Sequence, residues 1–382
     1  MKLSPVRVIF CFLQIWLTFG LLPSAFSQNR VRDLGIKTGI FSPGKLNAIT
    51  DVKGVKVGHT TVLSGDSICT GVTAILPHEG NIFQHKVPAA IYIGNGYGKL
   101  AGYSQVEELG NLETPILLTN TLSVGRAVET LVQYTLSLQG NENVRSVNAV
   151  VGETNDGFLN DIRGMHVTTK HIIQAIETAE GGPVTEGSVG AGTGTIAFGY
   201  KGGIGTASRS LPESLGGYTV GVLVQANFGG VLQISGAPVG QWLDNYPYQR
   251  QLENADGSCM IIVATDAPLD SRNLKRLAKR AMLGLARTGG FASNGSGDYV
   301  IAFSTYEKNL EPYQAKDPVS AREILNNENI SPLFLATVES TEEAILNALF
   351  LSKLPQGFED KGISEFPGVR VIQLLSEKGI LK

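Results

Sequence analysis

Residues 256–265 read Asp-Gly-Ser-Cys-Met-Ile-Ile-Val-Ala-Thr, an apolar run that follows a polar segment. A continuous run of this kind is typical of a strand that is buried on both faces of its sheet. The preceding residues, 241–257, are rich in Asp, Asn, Tyr and Gln and have little apolar periodicity, so we expect an exposed loop. The chain therefore passes abruptly from a loop into a buried strand at Gly257 and Ser258.

This junction has the arrangement that a nucleophile at a chain terminus requires. Gly257 leaves its carbonyl open to attack, Ser258 supplies a hydroxyl, and the buried strand would hold a new terminus rigidly. A free α-amine has a pKa of about 7.7–8.0, so a useful fraction is neutral near pH 7 and can serve as general base for the hydroxyl beside it. The alternative is an ordinary loop end, because Gly-Ser is common in turns.

Apolar runs bounded by Gly, Pro or Asn predict further strands, and apolar residues at helical spacing predict helices. The strands are expected at residues 72–76, 89–93, 147–151, 219–225, 259–265 and 299–303. The helices are expected at residues 123–138, 168–179, 270–288 and 340–351. Asp270 or Ser271 would cap the third helix, and Ser340 with Glu343 would form a capping box at the start of the fourth. Strands and helices alternate without a strict βαβ rhythm, which favours an α+β fold with helices layered on sheets.

Composition and charge exclude several classes of protein. With 42% hydrophobic and 17% charged residues, the chain is not intrinsically disordered, and its 46 glycines follow no collagen period. The net charge is −3, from 31 basic and 34 acidic residues, so the electrostatic footprint of a nucleic-acid-binding protein is absent.

The first 27 residues have the anatomy of a cleavable secretory signal. Lys2 and Arg7 are basic, residues 8–22 are mostly apolar, and Ala25 and Ser27 are the small residues that precede a cleavage site. The apolar run is shorter than the roughly 20 residues of a membrane-spanning helix. We therefore expect a signal peptide at residues 1–27 and a single catalytic domain without a membrane anchor, in the periplasm or secreted.

Cysteines, histidines and a glycine run give weaker signals. Cys69 and Cys259 would remain after signal removal, and the sequence leaves open whether they form a disulfide. The five histidines have no metal-ligand spacing, so we expect no metal and no cofactor. Residues 190–194, Gly-Ala-Gly-Thr-Gly, lack the context of a nucleotide-binding loop and favour a close approach of neighbouring backbones.

Several longer motifs are shared with one known family. They lie at residues 47–59, 113–121, 153–161, 189–194, 201–206, 225–229, 257–258 and 264–269. Through them the chain resembles the DmpA-type L-aminopeptidase/D-esterases and the β-peptidyl aminopeptidases, which are self-cleaving hydrolases. The resemblance covers essentially the whole chain after the signal.

The resemblance implies a four-layer αββα sandwich like that of the N-terminal-nucleophile hydrolases. It implies an inactive precursor that cleaves itself between Gly257 and Ser258 into an α chain, residues 28–257, and a β chain, residues 258–382. The two chains would stay together and assemble into a homo-oligomer, a tetramer of αβ units.

The resemblance also assigns roles to individual residues. Ser258 matches the catalytic nucleophile, Ser296 and Asp298 match a second serine and its acidic partner, and Asn227 matches the asparagine that stabilises the oxyanion. Some relatives have Glu where this chain has Asp298, which is one methylene shorter.

Two further residues are expected to bind the substrate. Glu153 matches the acidic residue that holds the substrate's amino terminus. Asn155 is the second. Some relatives place a catalytic tyrosine close to this stretch, where this chain has Asn155 and Phe158, so no tyrosine of this stretch takes that role here.

These assignments predict an exported aminopeptidase or amidase that releases N-terminal residues from small peptides, amides or esters, including D- or β-amino acid substrates. One alternative is an exported binding protein for small peptides on the same fold, without catalysis. Another is an acyltransferase, as in the ornithine acetyltransferase relatives of this fold. Those enzymes use threonine as nucleophile, and Ser258 argues against that reading.

Overall fold

The structure, a computed structural model, describes residues 29–248 and 257–381. The expected signal peptide and the last residues before Gly257 lie outside this range. The strands are β1 (Lys56–Ser64), β2 (Ile68–Leu76), β3 (His85–Gly96), β4 (Asn111–Leu112), β5 (Ile116–Asn120), β6 (Val150–Thr154), β7 (Ile196–Ala197), β8 (Tyr200–Lys201), β9 (Gly203–Ser210), β10 (Thr219–Asn227), β11 (Ser258–Thr265), β12 (Gly297–Ser304) and β13 (Glu311–Pro312). The helices are α1 (Tyr103–Leu109), α2 (Val124–Ser137), α3 (Thr169–Glu177), α4 (Val239–Trp242), α5 (Ser271–Arg287), α6 (Ser331–Phe350) and α7 (Gly368–Glu377).

Two sheets form the middle of the molecule. The smaller has the strand order β1-β2-β5-β6, and the larger has the order β13-β3-β12-β11-β10-β9, with β4 paired to β3. In the larger sheet β11 runs parallel to β12 and antiparallel to β10. The start of β11, the start of β12 and the end of β10 therefore meet at one edge of that sheet.

Helices cover the outer face of each sheet. Helices α2 and α3 pack on the smaller sheet through one apolar cluster, and α5 and α6 pack on the larger sheet through another. A third cluster fills the space between the two sheets. This stacking confirms the predicted α+β class and the four-layer αββα arrangement.

Strand β11 lies at the centre of this sandwich. Met260 and Ile262 point into the core between the sheets, whereas Ile261 and Val263 point toward the helices. All four are inaccessible to solvent. Because full burial of an aliphatic side chain contributes about 1.5–3 kcal/mol, this strand is firmly held, as its continuous apolar sequence predicts.

The predicted cap at the start of the third helix is confirmed, and the structure shows a second one. The Asp270 carboxylate accepts a hydrogen bond from the Asn273 backbone N–H at 2.9 Å and caps α5. Thr168 caps α3 in the same way through the His171 N–H. The predicted strand at residues 147–151 begins later than expected, at Val150.

The predicted start of the fourth helix is wrong. Helix α6 begins at Ser331, so Ser340 and Glu343 lie in its interior and do not form a capping box. The reason is a buried ion pair: Arg209, which is inaccessible to solvent, donates to Glu343 at 2.7 Å and to Glu339 at 3.1 Å. Polar residues in the middle of this helix thus have distant partners that the local sequence does not reveal.

Other expectations have clear outcomes. Cys69 and Cys259 are both buried free thiols, so they do not form a disulfide. The glycine run contains a 3₁₀ turn, Gly190–Gly192, and a Cβ at Gly192 would lie 2.4 Å from the Ile204 nitrogen, which confirms the close backbone approach. The expected loop at residues 241–257 begins inside α4. None of the described helices is long and apolar enough to cross a membrane.

Candidate active site

Three strand ends bring the predicted site together. Ser258 is the first residue of β11, and its register partners are Asn227, the last residue of β10, and Gly297, the first residue of β12. The side chains of directly paired residues in adjacent strands point to the same face of a sheet. Asn227 and Ser258 are therefore neighbours because of strand register.

A cavity of about 610 Å³ opens at this edge of the sheet. Its wall includes four residues singled out in the sequence, namely Ser258, Asn227, Glu153 and Asn155, together with Gly257. Aromatic residues complete the lining: Tyr97, Phe158, Phe198, Phe228 and Tyr246. The site is thus a partly apolar cleft with a small number of polar groups, as is usual for small-molecule sites.

The side chain of Asn227 is held in one orientation. Its Oδ1 accepts a hydrogen bond from the Ile196 backbone N–H at 2.9 Å, so its Nδ2 must point the other way. Nδ2 donates to the Asn155 carbonyl at 3.1 Å and makes a long hydrogen bond, 3.4 Å, to the Ser258 Oγ. An amide donor is therefore fixed beside the serine hydroxyl.

Two features of the structure favour glycine at position 257: there is no room for a Cβ atom, and the carbonyl is held by a hydrogen bond. A Cβ at this position would lie 2.5 Å from the Phe228 Cα and 2.6 Å from the Asn227 carbonyl oxygen. The Gly257 carbonyl accepts a hydrogen bond from the Gly297 backbone N–H at 3.2 Å. The carbonyl oxygen of the peptide bond before Ser258 thus accepts a hydrogen bond from a backbone donor that the sheet holds in place.

Ser296 and Asp298 flank Gly297, but neither lines the cavity. They are 2% and 1% exposed, and neither the Ser296 hydroxyl nor the Asp298 carboxylate has a partner with hydrogen-bond geometry among the described residues. Burial raises the pKa of Asp298 to about 6, and the nearby Ser296 hydroxyl and Cys259 backbone amide offset part of that increase. Asp298 is the register partner of Cys259, so its side chain points to the face of the sheet opposite Ser258, and neither Asp298 nor Ser296 forms a hydrogen bond with Ser258.

Glu153 presents a buried carboxylate to the cavity. It lies near the end of β6, is 4% exposed, and accepts hydrogen bonds from the Lys99 backbone N–H at 2.9 Å and from the Thr121 hydroxyl. No cationic side chain of the described residues forms an ion pair with it. A buried carboxylate without a cation favours an ammonium ligand, because charge-assisted hydrogen bonds are strong where water is excluded.

Asn155 contributes mainly through its backbone. Its carbonyl accepts from Asn227, while its side chain accepts a hydrogen bond from the Gly157 N–H at 2.9 Å and closes a local turn. The cavity therefore contains Asn155, but the side chain is already engaged.

Several groups in the site left no signal that sequence reasoning could use. The backbone N–H groups of Gly297, Ile196 and Lys99 act as donors, and a main-chain donor is common to almost all residues. Tyr246 and Pro247 line the cavity from the segment expected to be an exposed loop. Within the described residues, no group of three or more His, Cys, Asp or Glu side chains is placed to hold a metal ion.

Comparisons with known proteins agree on one family. The model of Peptidase family S58 matches residues 47–362. The beta-peptidyl aminopeptidase BapA of Sphingosinicella microcystinivorans is 40% identical over 370 residues, which are 91% of this chain and 92% of that protein.

Solved structures share the architecture. The PH0078 protein of Pyrococcus horikoshii OT3 matches with a TM-score of 0.85 and 48% identity, covering 92% of this chain and 100% of that one. The L-aminopeptidase D-Ala-esterase/amidase of Ochrobactrum anthropi, described as a prototype serine aminopeptidase with a variant Ntn hydrolase fold, matches with a TM-score of 0.84 and 38% identity, covering 92% and 99%. The chain therefore belongs to peptidase family S58, and it is an aminopeptidase with the Ntn hydrolase fold.

Proposed function

We propose that this protein is an exported serine aminopeptidase that activates itself by cleaving the Gly257–Ser258 bond. One observation carries the proposal: the Ser258 Oγ lies 3.4 Å from the fixed amide donor of Asn227, in a cavity that also contains the Glu153 carboxylate, which forms no ion pair with any described residue. Nucleophile, oxyanion donor and ammonium site are the three parts that aminopeptidase chemistry at a serine needs.

In self-cleavage the Ser258 Oγ attacks the Gly257 carbonyl carbon. The C–N bond breaks, the acyl group moves to the serine oxygen as an ester, and the hydroxyl proton goes to the departing α-amine. Water then hydrolyses the ester and leaves a Gly257 carboxylate. The Gly297 N–H, 3.2 Å from the Gly257 oxygen, supports this step because it stabilises the negative charge that develops on that oxygen.

In turnover the freed α-amine of Ser258 acts as general base for its own hydroxyl. The hydroxyl attacks the substrate carbonyl, and the Asn227 amide donates to the oxyanion. The leaving amine takes up the proton, and water releases the acyl group from the serine. Asp298 with Ser296 would orient the new terminus.

Glu153 would define the exopeptidase character of the reaction. Its carboxylate can hold the ammonium of a substrate's first residue, which fixes the number of bonds between that ammonium and the attacked carbonyl. Small peptides, amides and esters fit the cavity of about 610 Å³. The names of the relatives, a beta-peptidyl aminopeptidase and a D-Ala-esterase/amidase, support substrates with β- or D-configured first residues.

The signal-like first 27 residues support export to the periplasm or beyond the cell, and the family resemblance supports a homo-oligomer of cleaved αβ units.

Intact mass spectrometry tests the proposal. Purified wild-type protein is expected as two fragments, residues 28–257 and 258–382, whereas Ser258→Ala stays a single chain without peptidase activity. Ser304→Ala is the matched control, because Ser304 is an equally buried serine at the far end of β12 and should cleave normally. A wild-type protein that stays uncleaved yet hydrolyses amides would overturn the mechanism.

A further inference from the structure

A lysine without a carboxylate partner is buried behind the site. Lys201, at the end of β8, is inaccessible to solvent and forms no ion pair among the described residues. Its Nζ donates instead to three backbone carbonyls, those of Gly192 at 3.0 Å, Thr195 at 3.0 Å and Gly202 at 2.5 Å. Burial lowers the pKa of Lys201 to about 7, and the nearby Cys69 and Asp156 offset part of that decrease. Three carbonyl acceptors match the three N–H donors of an ammonium, so the geometry favours the protonated form.

One of these carbonyls leads directly to the nucleophile. The Thr195 carbonyl and the Ile196 N–H belong to the same peptide group. Lys201 donates to the carbonyl oxygen of that peptide group. The N–H of the same group, which belongs to Ile196, donates to the Asn227 Oδ1 at 2.9 Å. Asn227 in turn directs Nδ2 toward the Ser258 Oγ. A continuous row of hydrogen bonds therefore links the buried ammonium to the reacting hydroxyl.

The direction of polarisation is the same at every step of this row. A cation at the carbonyl oxygen makes the N–H of that peptide a stronger donor, and a stronger donor at Oδ1 makes the Nδ2 hydrogens of Asn227 more positive. Such chains strengthen one another by roughly 10–30% per bond in a medium of low dielectric constant. The effect favours the oxyanion, which carries more charge than the ground-state carbonyl.

The same contacts also hold the turn in place. Gly192 and Thr195 belong to a glycine-rich segment, and Lys201 ties its carbonyls together. The Thr195 carbonyl also accepts a hydrogen bond from the Gly202 N–H at 2.9 Å, and the Gly192 carbonyl accepts one from the Thr195 hydroxyl at 3.0 Å. Loss of the ammonium would therefore remove one of two donors from each carbonyl and hold the Ile196 N–H less firmly.

We propose that Lys201 is a positioning residue that fixes and polarises the oxyanion donor Asn227 through the Thr195–Ile196 peptide. The proposal rests on the proposed function, since it assigns Lys201 a part in hydrolysis through the oxyanion donor, and in self-cleavage because the same Asn227 amide lies 3.4 Å from the attacking Ser258 Oγ. It predicts an effect on the chemical steps rather than on substrate binding, because Lys201 contacts neither the cavity surface nor Glu153.

Lys201→Met tests this, because the unbranched methionine side chain is only one atom shorter than that of lysine and lacks its charge and donors. The expected result is a fall in kcat of about 10-fold with KM changed less than 2-fold, together with slower self-cleavage. Arg209→Lys is the control: it alters another fully buried cation, one that contacts α6 and no part of the cavity. It should lower the melting temperature and leave kcat per cleaved enzyme unchanged.

A double-mutant cycle separates positioning from general damage. If Lys201 acts through Asn227, the variant carrying both Lys201→Met and Asn227→Ala is no slower than Asn227→Ala alone. Self-cleavage followed by intact mass over days gives this comparison even where hydrolysis is too slow to measure. If Lys201→Met does not fold, as judged by circular dichroism, Lys201→Gln is used, since its amide keeps two donors for the turn without the charge.

The inference is overturned if the Lys201 variant keeps wild-type kcat, if its loss lies in KM, or if the two losses multiply in the double variant. A wild-type protein that neither cleaves itself nor hydrolyses amides would instead refute the proposed function, so the two failures are distinguishable.

Discussion

Asn227 and Ser258 are directly paired across two antiparallel strands, and the amide nitrogen of the first lies 3.4 Å from the hydroxyl oxygen of the second. Because the pairing is set by strand register, a shift of one residue would move either side chain to the opposite face of the sheet. The position of the donor relative to the nucleophile is therefore as rigid as the sheet itself.

Removing the Asn227 amide donor should strongly slow the hydrolysis of substrate. Asn227→Ala is expected to reduce kcat by about 100- to 1,000-fold, the usual effect of losing one oxyanion donor, with a smaller change in KM. Asn245→Ala is the control, since Asn245 lines the same cavity but bonds to the Phe198 carbonyl. Steady-state kinetics on a small amide substrate measure both. Equal losses in the two variants would contradict the assignment.

Neutralising the carboxylate in the cavity should separate the two reactions. Glu153→Gln is expected to reduce kcat/KM by about 10- to 100-fold for substrates with a free amino terminus, because a charge-assisted hydrogen bond is lost. Self-cleavage involves no ammonium at that point and should proceed at the wild-type rate. Parallel assays of hydrolysis and of intact mass check this, and an equal loss in both would exclude Glu153 as the ammonium site.

Adding one methyl group at the cleavage site should delay maturation. Gly257→Ala places a Cβ within 2.5 Å of the Phe228 backbone, so the carbonyl must move away from the Gly297 N–H. We expect self-cleavage at least about 10-fold slower, because displacement of reacting atoms by an ångström is costly. Gly125→Ala, where the added methyl meets open space on α2, is the control. Cleavage at the wild-type rate in Gly257→Ala would show that the carbonyl contact is dispensable.

Asp298 should affect activity and stability in opposite directions. Its pKa is raised to about 6, above the roughly 3.9 of an exposed Asp, so the folded state binds the proton more tightly than the unfolded state. The contribution of this group to stability is therefore full below about pH 4 and is lost as the pH rises through 6.

Asp298→Asn should consequently raise the melting temperature at pH 8 relative to wild type while reducing kcat about 10-fold or more. Asp266→Asn is the control, since burial also raises the pKa of that carboxyl, at the far end of β11. Thermal unfolding between pH 4 and pH 8, with kinetics at pH 8, measures both effects. A lower melting temperature together with full activity would refute the prediction.

Sequence reasoning succeeded where the cause is local. The apolar run after Ser258 predicts a buried strand, and the Asp270 carboxylate caps a helix three residues away, so a short window contains the whole explanation. It failed at the start of α6, because Glu343 is balanced by Arg209, which is 134 residues away in sequence.

The same distinction applies to the site. Residue type and family resemblance predict Ser258, Asn227 and Glu153, and the fold brings them to one cavity. Their backbone donors were not predictable, since a main-chain N–H carries no side-chain signature. Lys201 was overlooked for a related reason: lysine is almost always a surface residue, and only the fold shows this one enclosed by carbonyls.

The order of strands in the larger sheet has a consequence for the processed protein. Cleavage at the proposed Gly257–Ser258 site would place β11 and β12 on the downstream piece, yet they lie between β10 and β3, which belong to the upstream piece. Arg209 comes from the upstream piece and Glu343 from the downstream piece, so their buried ion pair also crosses the cut. Neither piece retains the whole larger sheet or a balanced set of interior charges without the other. The cleaved protein should consequently unfold in one cooperative transition. The two pieces should dissociate at the same denaturant concentration at which the fold is lost.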